Sequence, residues 1–225
     1  MTDPYHSLAA LAKAFADPNR LLILEHLAQG ASSVEDLSGR TNLPLGNLSH
    51  HLQILKSAGL VKATRRGRQI YYQVQGPLVI KTYQGLMRLA EALETHDHWG
   101  SRQETLVLGP KIPRQEALKL IQLGKAVLLD VRPLEEYNAG HIRGAVHIPL
   151  ELLNERINNL PQGKMIVSYC RGPYCQLSLR AVALLKSHGK EAHALEDGYP
   201  QWWAEGLPIE VIDEEHNNKL YSNIH

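Results

Sequence analysis

Two cysteines stand in one short stretch, Cys170-Arg-Gly-Pro-Tyr-Cys175, and the sequence contains no others. Before them Met165-Ile-Val-Ser-Tyr169 has the pattern of a buried strand, and a helical segment resumes near Gln176 or Leu177. A strand-to-helix turn aims several backbone N–H groups and the positive end of the helix dipole at one point. A thiol there ionises readily, and Arg171 is expected to add a positive charge beside it. Gly172 allows the loop to curl tightly. Cys170 is then a nucleophile in a pocket built for an anion, and a persulfide, Cys–S–S⁻, is such an anion. The alternative is a buried structural thiol, the usual fate of an isolated cysteine. Position at the carboxyl end of a strand, where open α/β sheets keep their sites, favours the nucleophile. For Cys175 two readings stand. It is either a small residue that fits the end of the loop, or a resolving thiol that attacks the sulfur held on Cys170 to give a disulfide or a sulfur-bridged pair.

The elements that hold this loop belong to the second half of the chain. Apolar runs at Ala126–Val131, Ala145–Ile148, Met165–Tyr169 and Ala192–Leu195 alternate with helical segments such as Arg114–Gln122 and Leu177–His188. That alternation predicts an α/β domain whose sheet is mainly parallel, with helices on its faces. The first half reads differently, as short punctuated helices followed by a hairpin, a mainly α winged helix-turn-helix. The expected division is this mainly α domain over 1–99, a Gly- and Pro-bearing linker over 100–112, the α/β domain over 113–212 and a polar tail over 213–225.

Charge separates the halves as well. From Leu37 to Ala90, 54 residues carry no Asp or Glu and eight Lys or Arg. In this stretch Val34–Arg40 reads as one short helix. Pro44 opens a second, whose apolar stripe Leu48, Leu52, Leu55 turns Asn47, Ser49, His50, Gln53 and Lys56 to the opposite face, with His51 among the candidates for base contact. Gly59 is the expected left-handed stop. Two strand-like runs, Leu60–Thr64 and Gln69–Val74, flank a tip carrying Arg65, Arg66 and Arg68, the chemistry of a phosphate or minor-groove contact. A helix from Leu78 to about Glu94 follows. Its stripe Val79, Tyr83, Leu86, Ala90, Leu93 could zip to a second copy or pack on its own domain.

Ala16-Asp-Pro-Asn-Arg-Leu-Leu-Ile-Leu24, Asn47-Leu-Ser-His-His-Leu-Gln-Ile-Leu-Lys-Ser-Ala-Gly-Leu-Val61 and Arg66-Gly-Arg-Gln-Ile-Tyr-Tyr72 resemble the ArsR family of winged-helix repressors over roughly residues 5 to 98. The resemblance implies a homodimer on a two-fold site in double-stranded operator DNA. Many members of that family sense metals, and here the sequence departs from them: no cysteine precedes residue 170, so thiolate metal sites on the DNA-binding helices are excluded. His96, Asp97 and His98 offer nitrogen and oxygen ligands, but adjacent histidines at a helix end are more often solvated surface, and no metal or other cofactor is expected.

Leu129-Asp-Val-Arg132, Tyr137-Asn-Ala-Gly-His-Ile-Arg-Gly-Ala145, Ile148-Pro149, the Cys170 loop, Glu196-Asp-Gly-Tyr-Pro-Gln-Trp-Trp203 and Gly206-Leu-Pro208 resemble a single rhodanese domain over about residues 110 to 212. The resemblance implies that Cys170 is the sulfur-accepting nucleophile, that the backbone of Arg171, Gly172, Pro173, Tyr174 and Cys175 cradles the persulfide, and that Asp130 and Arg132 support the site. Asp197 stands where a glycine is common. Phosphatases of related fold place an arginine after a cysteine and five residues; Gln176 stands there, so phosphatase chemistry is not expected.

Two functions follow. In the first, a transcriptional repressor senses reactive sulfur species or a persulfide donor through Cys170. In the second, a sulfurtransferase moves sulfane sulfur to a thiol or cyanide and carries a regulatory DNA-binding domain. A metal-responsive repressor acting through His96 and His98 is the weaker third. The formal net charge of +1 predicts no acidic partner by itself. Two cysteines are too few for a secreted disulfide scaffold. The N-terminus lacks the basic and apolar regions of a signal peptide, and no run reaches the roughly 18 apolar residues of a membrane helix. A cytoplasmic protein with no membrane partner is expected.

Overall fold

The computed structural model describes residues 3–93, 111–172 and 175–212. The chain divides into two compact units, Met1–Glu91 and Ala92–His225.

The first unit is built from punctuated helices and a hairpin. Helix α1 (Pro4–Phe15) and helix α2 (Pro18–Leu27) each begin with proline after an aspartate cap. Asp17 accepts hydrogen bonds from the Asn19 and Arg20 N–H groups, satisfying donors that the first turn leaves open. Strand β1 (Ser32–Ser33) leads into α3 (Val34–Thr41) through a capping box between Ser33 and Asp36. Helix α4 (Leu45–Ser57) then buries Leu48, His51, Leu52 and Leu55. Gly59 follows at φ 73° and turns the chain out of the helix. Strands β2 (Val61–Arg66) and β3 (Gln69–Val74) form an antiparallel hairpin in register from Val61 opposite Val74 to Arg66 opposite Gln69. Strand β1 adds to β3 to complete the sheet. Helix α5 (Pro77–Leu93) closes the unit.

The second unit carries a five-stranded parallel sheet in the order β4-β9-β8-β5-β7. Its elements are β4 (Lys111–Ile112), α6 (Arg114–Gln122), β5 (Ala126–Asp130), α7 (Leu134–Ala139), β6 (His141–Ile142), β7 (Val146–His147), α8 (Leu150–Arg156), β8 (Met165–Tyr169), α9 (Leu177–Ser187), β9 (Ala192–Leu195), α10 (Tyr199–Ala204) and β10 (Ile209–Glu210). Strands β6 and β10 pair antiparallel apart from the main sheet. Successive residues of the central strands serve opposite faces, as the pleat requires. Leu129 and Ile166 enter one apolar cluster with Leu153 and Leu185, while Leu128 and Val167 enter the other with Ala117 and Trp202. Strand β8 lies between β5 and β9, so the residue after it emerges at the carboxyl end of the sheet's centre.

Two expectations differ at their edges. Lys111 and Ile112, read as the end of a linker, form the edge strand of the sheet, because their backbone finds partners in Ala194 and Leu195. The expected run Ala145–Ile148 narrows to a two-residue edge strand, since only Val146 and His147 meet β5 in register. The boundary at Trp99, the polar tail 213–225 and the cluster His96, Asp97, His98 lie outside the described residues.

Candidate functional site

Cys170 follows β8 directly and is 1% exposed. Its Sγ lies 3.3 Å from the Ser178 hydroxyl and 3.5 Å from the Cys175 carbonyl oxygen. Ser178 sits in the first turn of α9 and is itself buried. Burial alone would push the Cys170 thiol up. Hydrogen bonds from Cys175, from the Ser178 hydroxyl and from the Ser178 and Gly172 N–H groups overcome that cost and bring it down to about 6. Cys175, half-buried, moves the other way: it shares the hydrogen bond with Cys170 and is desolvated, so its thiol is held well above the usual range. Both cysteines are free thiols. The loop therefore holds one thiol that is brought down toward neutral pH beside a second that is held up.

Neighbouring segments fix the loop's shape. Gly172 adopts φ 154°, and its carbonyl accepts from the Cys175 N–H at 3.1 Å. Gly198 presses against the loop so closely that a Cβ there would collide with the Gly172 nitrogen and the Cys170 carbonyl oxygen. The Tyr199 N–H donates to that same carbonyl at 3.1 Å. Pro173 and Tyr174, expected in the cradle, lie outside the described residues.

The charge of Arg171 acts on both cysteines, as expected, but its guanidinium does not face them. Its guanidinium is turned onto the buried Glu136 carboxylate of α7, with Nε at 2.9 and 3.0 Å and Nη2 at 2.6 Å. The pair is bidentate and neutralised at close range. The donors that lower the Cys170 thiol are thus hydroxyl and backbone dipoles more than a facing cation.

Asp130 and Arg132 are both fully buried. Arg132 donates to Asp130 at 3.0 and 2.7 Å and to the Gly140 carbonyl at 2.7 Å, and its guanidinium lies 4.6 Å from the Tyr199 ring centre. Tyr199 in turn holds the Cys170 carbonyl. The pair therefore lies at one remove from the sulfur, linked to it through Tyr199.

In the first unit, Asn47, Ser49, His50, Gln53 and Lys56 share the exposed face of α4, and Arg65, Arg66 and Arg68 are exposed at the hairpin. Arg66 lies over the Tyr71 ring at 5.0 Å. His51 does not belong to that face. Three residues after Leu48, it falls on the buried stripe at 6% exposure, with Nε2 3.4 Å from the Asn19 amide nitrogen and Nδ1 3.7 Å from Asp17. Along α5, Leu86 and Leu93 are exposed, as are Leu78 and Leu89. Among the described residues no three His, Cys, Asp or Glu side chains gather as a metal site, and no helix is long and apolar enough to cross a membrane.

Sequence reasoning missed Ser178 and Glu136. Ser178 carried a signal, a hydroxyl in the first turn after the loop. Glu136 carried none that separates it from Glu135 beside it.

Comparison with known proteins gives two family matches: residues 17–63 match the bacterial regulatory proteins of the arsR family, and residues 113–205 match the rhodanese-like domain. The HTH-type transcriptional regulator Rv0324 of Mycobacterium tuberculosis is 38% identical over 209 residues, covering 90% of each chain. The HTH-type transcriptional regulator CmtR of the same organism is 35% identical over 40% of this chain and 75% of its own. Among solved structures, the homodimeric winged helix-turn-helix DNA-binding domain of a possible ArsR-family regulator from Mycobacterium bovis is 37% identical. It covers 42% of this chain and 87% of that one, at a TM-score of 0.39.

Proposed function

The chain belongs to the ArsR-type helix-turn-helix transcriptional regulators, in an architecture that adds a rhodanese-like domain, and on that premise we propose that its input is sulfane sulfur accepted by Cys170. The protein is a DNA-binding transcriptional regulator. The observation that carries the sensing reading is the placement of two cysteines in one tight loop: Cys170 leaves the central strand at the sheet's carboxyl end, and Cys175 closes the turn with its N–H on the Gly172 carbonyl at 3.1 Å.

The chemistry closes without an outside oxidant other than the sulfur donor. Cys170 takes the outer sulfur of a persulfide to become Cys170–S–SH. Cys175, on losing its proton, attacks Cys170 Sγ, forming Cys170–S–S–Cys175 and releasing HS⁻. The persulfide moves the site's charge one sulfur outward, and the disulfide removes that charge and ties the loop's two ends together. Two protein states of differing operator affinity convert this change into a signal.

The DNA face is assigned to Asn47, Ser49, His50, Gln53 and Lys56 on α4, with Arg65, Arg66 and Arg68 on backbone phosphates or in the minor groove. A homodimer supplies the two-fold reader. Leu86 and Leu93 on α5, with Leu78 and Leu89, and Tyr5 and Leu8 on α1, support it as apolar side chains exposed on a single copy. Sulfurtransferase turnover shares the first step, but a resolving cysteine diverts the persulfide before an external acceptor takes it. Mass spectrometry of the loop peptide after polysulfide treatment tests the reading. Sulfur addition or a Cys170–Cys175 linkage is expected, and an unmodified loop contradicts it.

A further inference from the structure

The charges around the loop narrow the class of donor, an inference that rests on the reading of Cys170 as the sulfur acceptor. Among the described residues, guanidinium groups on three segments around the loop each meet a carboxylate. Arg171 lies 2.6 Å from Glu136, Arg132 lies 2.7 Å from Asp130, and Arg114 lies 3.2 Å from Asp197, the residue before the Gly198 that abuts the loop. The leading donors bringing the Cys170 thiol down are the Cys175 thiol, the Ser178 hydroxyl and the N–H groups of Ser178 and Gly172, all neutral dipoles, while the charge of Arg171 acts on the sulfur from its ion pair with Glu136. With Cys170 at 1% exposure, solvent screening at the sulfur is weak.

Such a site treats donors unequally. Transfer from thiosulfate brings two negative charges against the thiolate and expels sulfite with two. Transfer from a hydropersulfide or a hydrogen polysulfide brings one charge or none and expels a thiolate or hydrosulfide that takes up a proton. We propose that the Cys170 site takes sulfane sulfur from hydropersulfides and hydrogen polysulfides and discriminates against thiosulfate, because its flanking cations are already paired with carboxylates.

The step balances. The Cys170 thiolate attacks the outer sulfur of R–S–SH, the new Sγ–S bond forms, and the donor's S–S bond breaks. The proton of the outer sulfhydryl passes to the leaving sulfur, giving Cys170–S–S⁻ and R–SH. The outer sulfur moves at the zero oxidation level, so no further oxidant or reductant enters.

Glu136 is the positioning residue this assigns: by holding Arg171 it keeps the guanidinium from serving an oxyanion. The test mixes the reduced full chain with cysteine hydropersulfide or with sodium thiosulfate at equal concentration and reads sulfur addition at Cys170 by quenched alkylation and mass spectrometry. The hydropersulfide is expected to react about 100-fold faster or more, beyond the ratio the two donors show toward free cysteine. In Glu136→Gln the Arg171 guanidinium loses the carboxylate charge that opposes it, and the thiosulfate rate should rise about 10-fold in absolute terms, a gain that loss of structure does not produce. Wild-type thiosulfate reacting within about 10-fold of the hydropersulfide overturns the proposal, as does a thiosulfate rate that stays level or falls in a folded Glu136→Gln protein. If that variant does not fold, the wild-type ratio decides alone. Failure of both donors to modify Cys170 overturns the sulfur-acceptor reading and this inference together.

Discussion

The Ser178 hydroxyl lies 3.3 Å from the Cys170 sulfur, in the first turn of the helix that follows the loop. A hydrogen bond to a charged group is stronger than one to a neutral group, so this contact favours the thiolate over the thiol. Together with the Cys175 thiol and the loop N–H groups it brings the Cys170 thiol down to about 6. Ser178→Ala removes the hydroxyl donor, and the midpoint should rise to about pH 7 or above. Ser178→Thr should restore it. The alkylation rate of Cys170 measured against pH, with peptide mass spectrometry to separate it from Cys175, checks both. An unchanged midpoint in the alanine variant would remove Ser178 from the account.

Cys175→Ser separates acceptance from resolution. Cys170 should still take sulfur, but the persulfide should accumulate and no intramolecular linkage should form. Intact-mass measurement after persulfide exposure, with and without reductant, distinguishes the two. A wild-type protein that also stops at the persulfide would leave Cys175 as a small residue filling the end of the loop.

The arginines of the hairpin and the polar groups of α4 should fail in different ways. Replacing Arg66 or Arg68 by alanine should weaken binding to all duplex sequences alike and reduce the log–log salt slope by about 1 each, the sign of a lost phosphate contact. Gln53→Ala should instead relax preference at particular base pairs, with a cost of about 1–3 kcal/mol against the preferred base. Binding titrations at several salt concentrations, on an operator selected from a random duplex library by the wild-type protein, report both quantities.

His51 should behave as a core residue. His51→Ala leaves a void among buried residues of α4 and removes the partner of the Asn19 amide, so unfolding should be eased by about 1–3 kcal/mol. Urea titration measures this. Base preference on the selected operator should be unchanged, and altered preference without lost stability would return His51 to the DNA face.

The fold was largely legible in the sequence because its main signals are local. Met165–Tyr169, Ala192–Leu195, Arg114–Gln122 and Gln69–Val74 have the bounds in the structure that their apolar patterns suggest. These segments are flanked by turn and cap residues, and they bury a face whose period matches their secondary structure. The position of Cys170 after a buried strand was legible for the same reason. Its environment was not. The partnership of Arg171 with Glu136 spans 35 residues, and only the tertiary fold decides which carboxylate a guanidinium meets. His51 shows a finer limit: a stripe read as Leu48, Leu52 and Leu55 omits the i+3 position, which the same helical face also covers. Two-residue edge strands such as Ser32–Ser33 and Lys111–Ile112 carry no period at all, and pairing alone defines them.

The central claim is that the sulfur state of Cys170 sets the affinity for DNA. Operator affinity of the full chain, titrated with cysteine hydropersulfide and then with reductant, tests it most directly. Wild-type affinity should change by at least about 10-fold on sulfur addition and return on reduction, with a coupling energy of roughly 1–3 kcal/mol, and Cys170→Ser should be insensitive throughout. Equal wild-type affinity before and after modification of Cys170, verified on the same sample by mass spectrometry, would contradict the account.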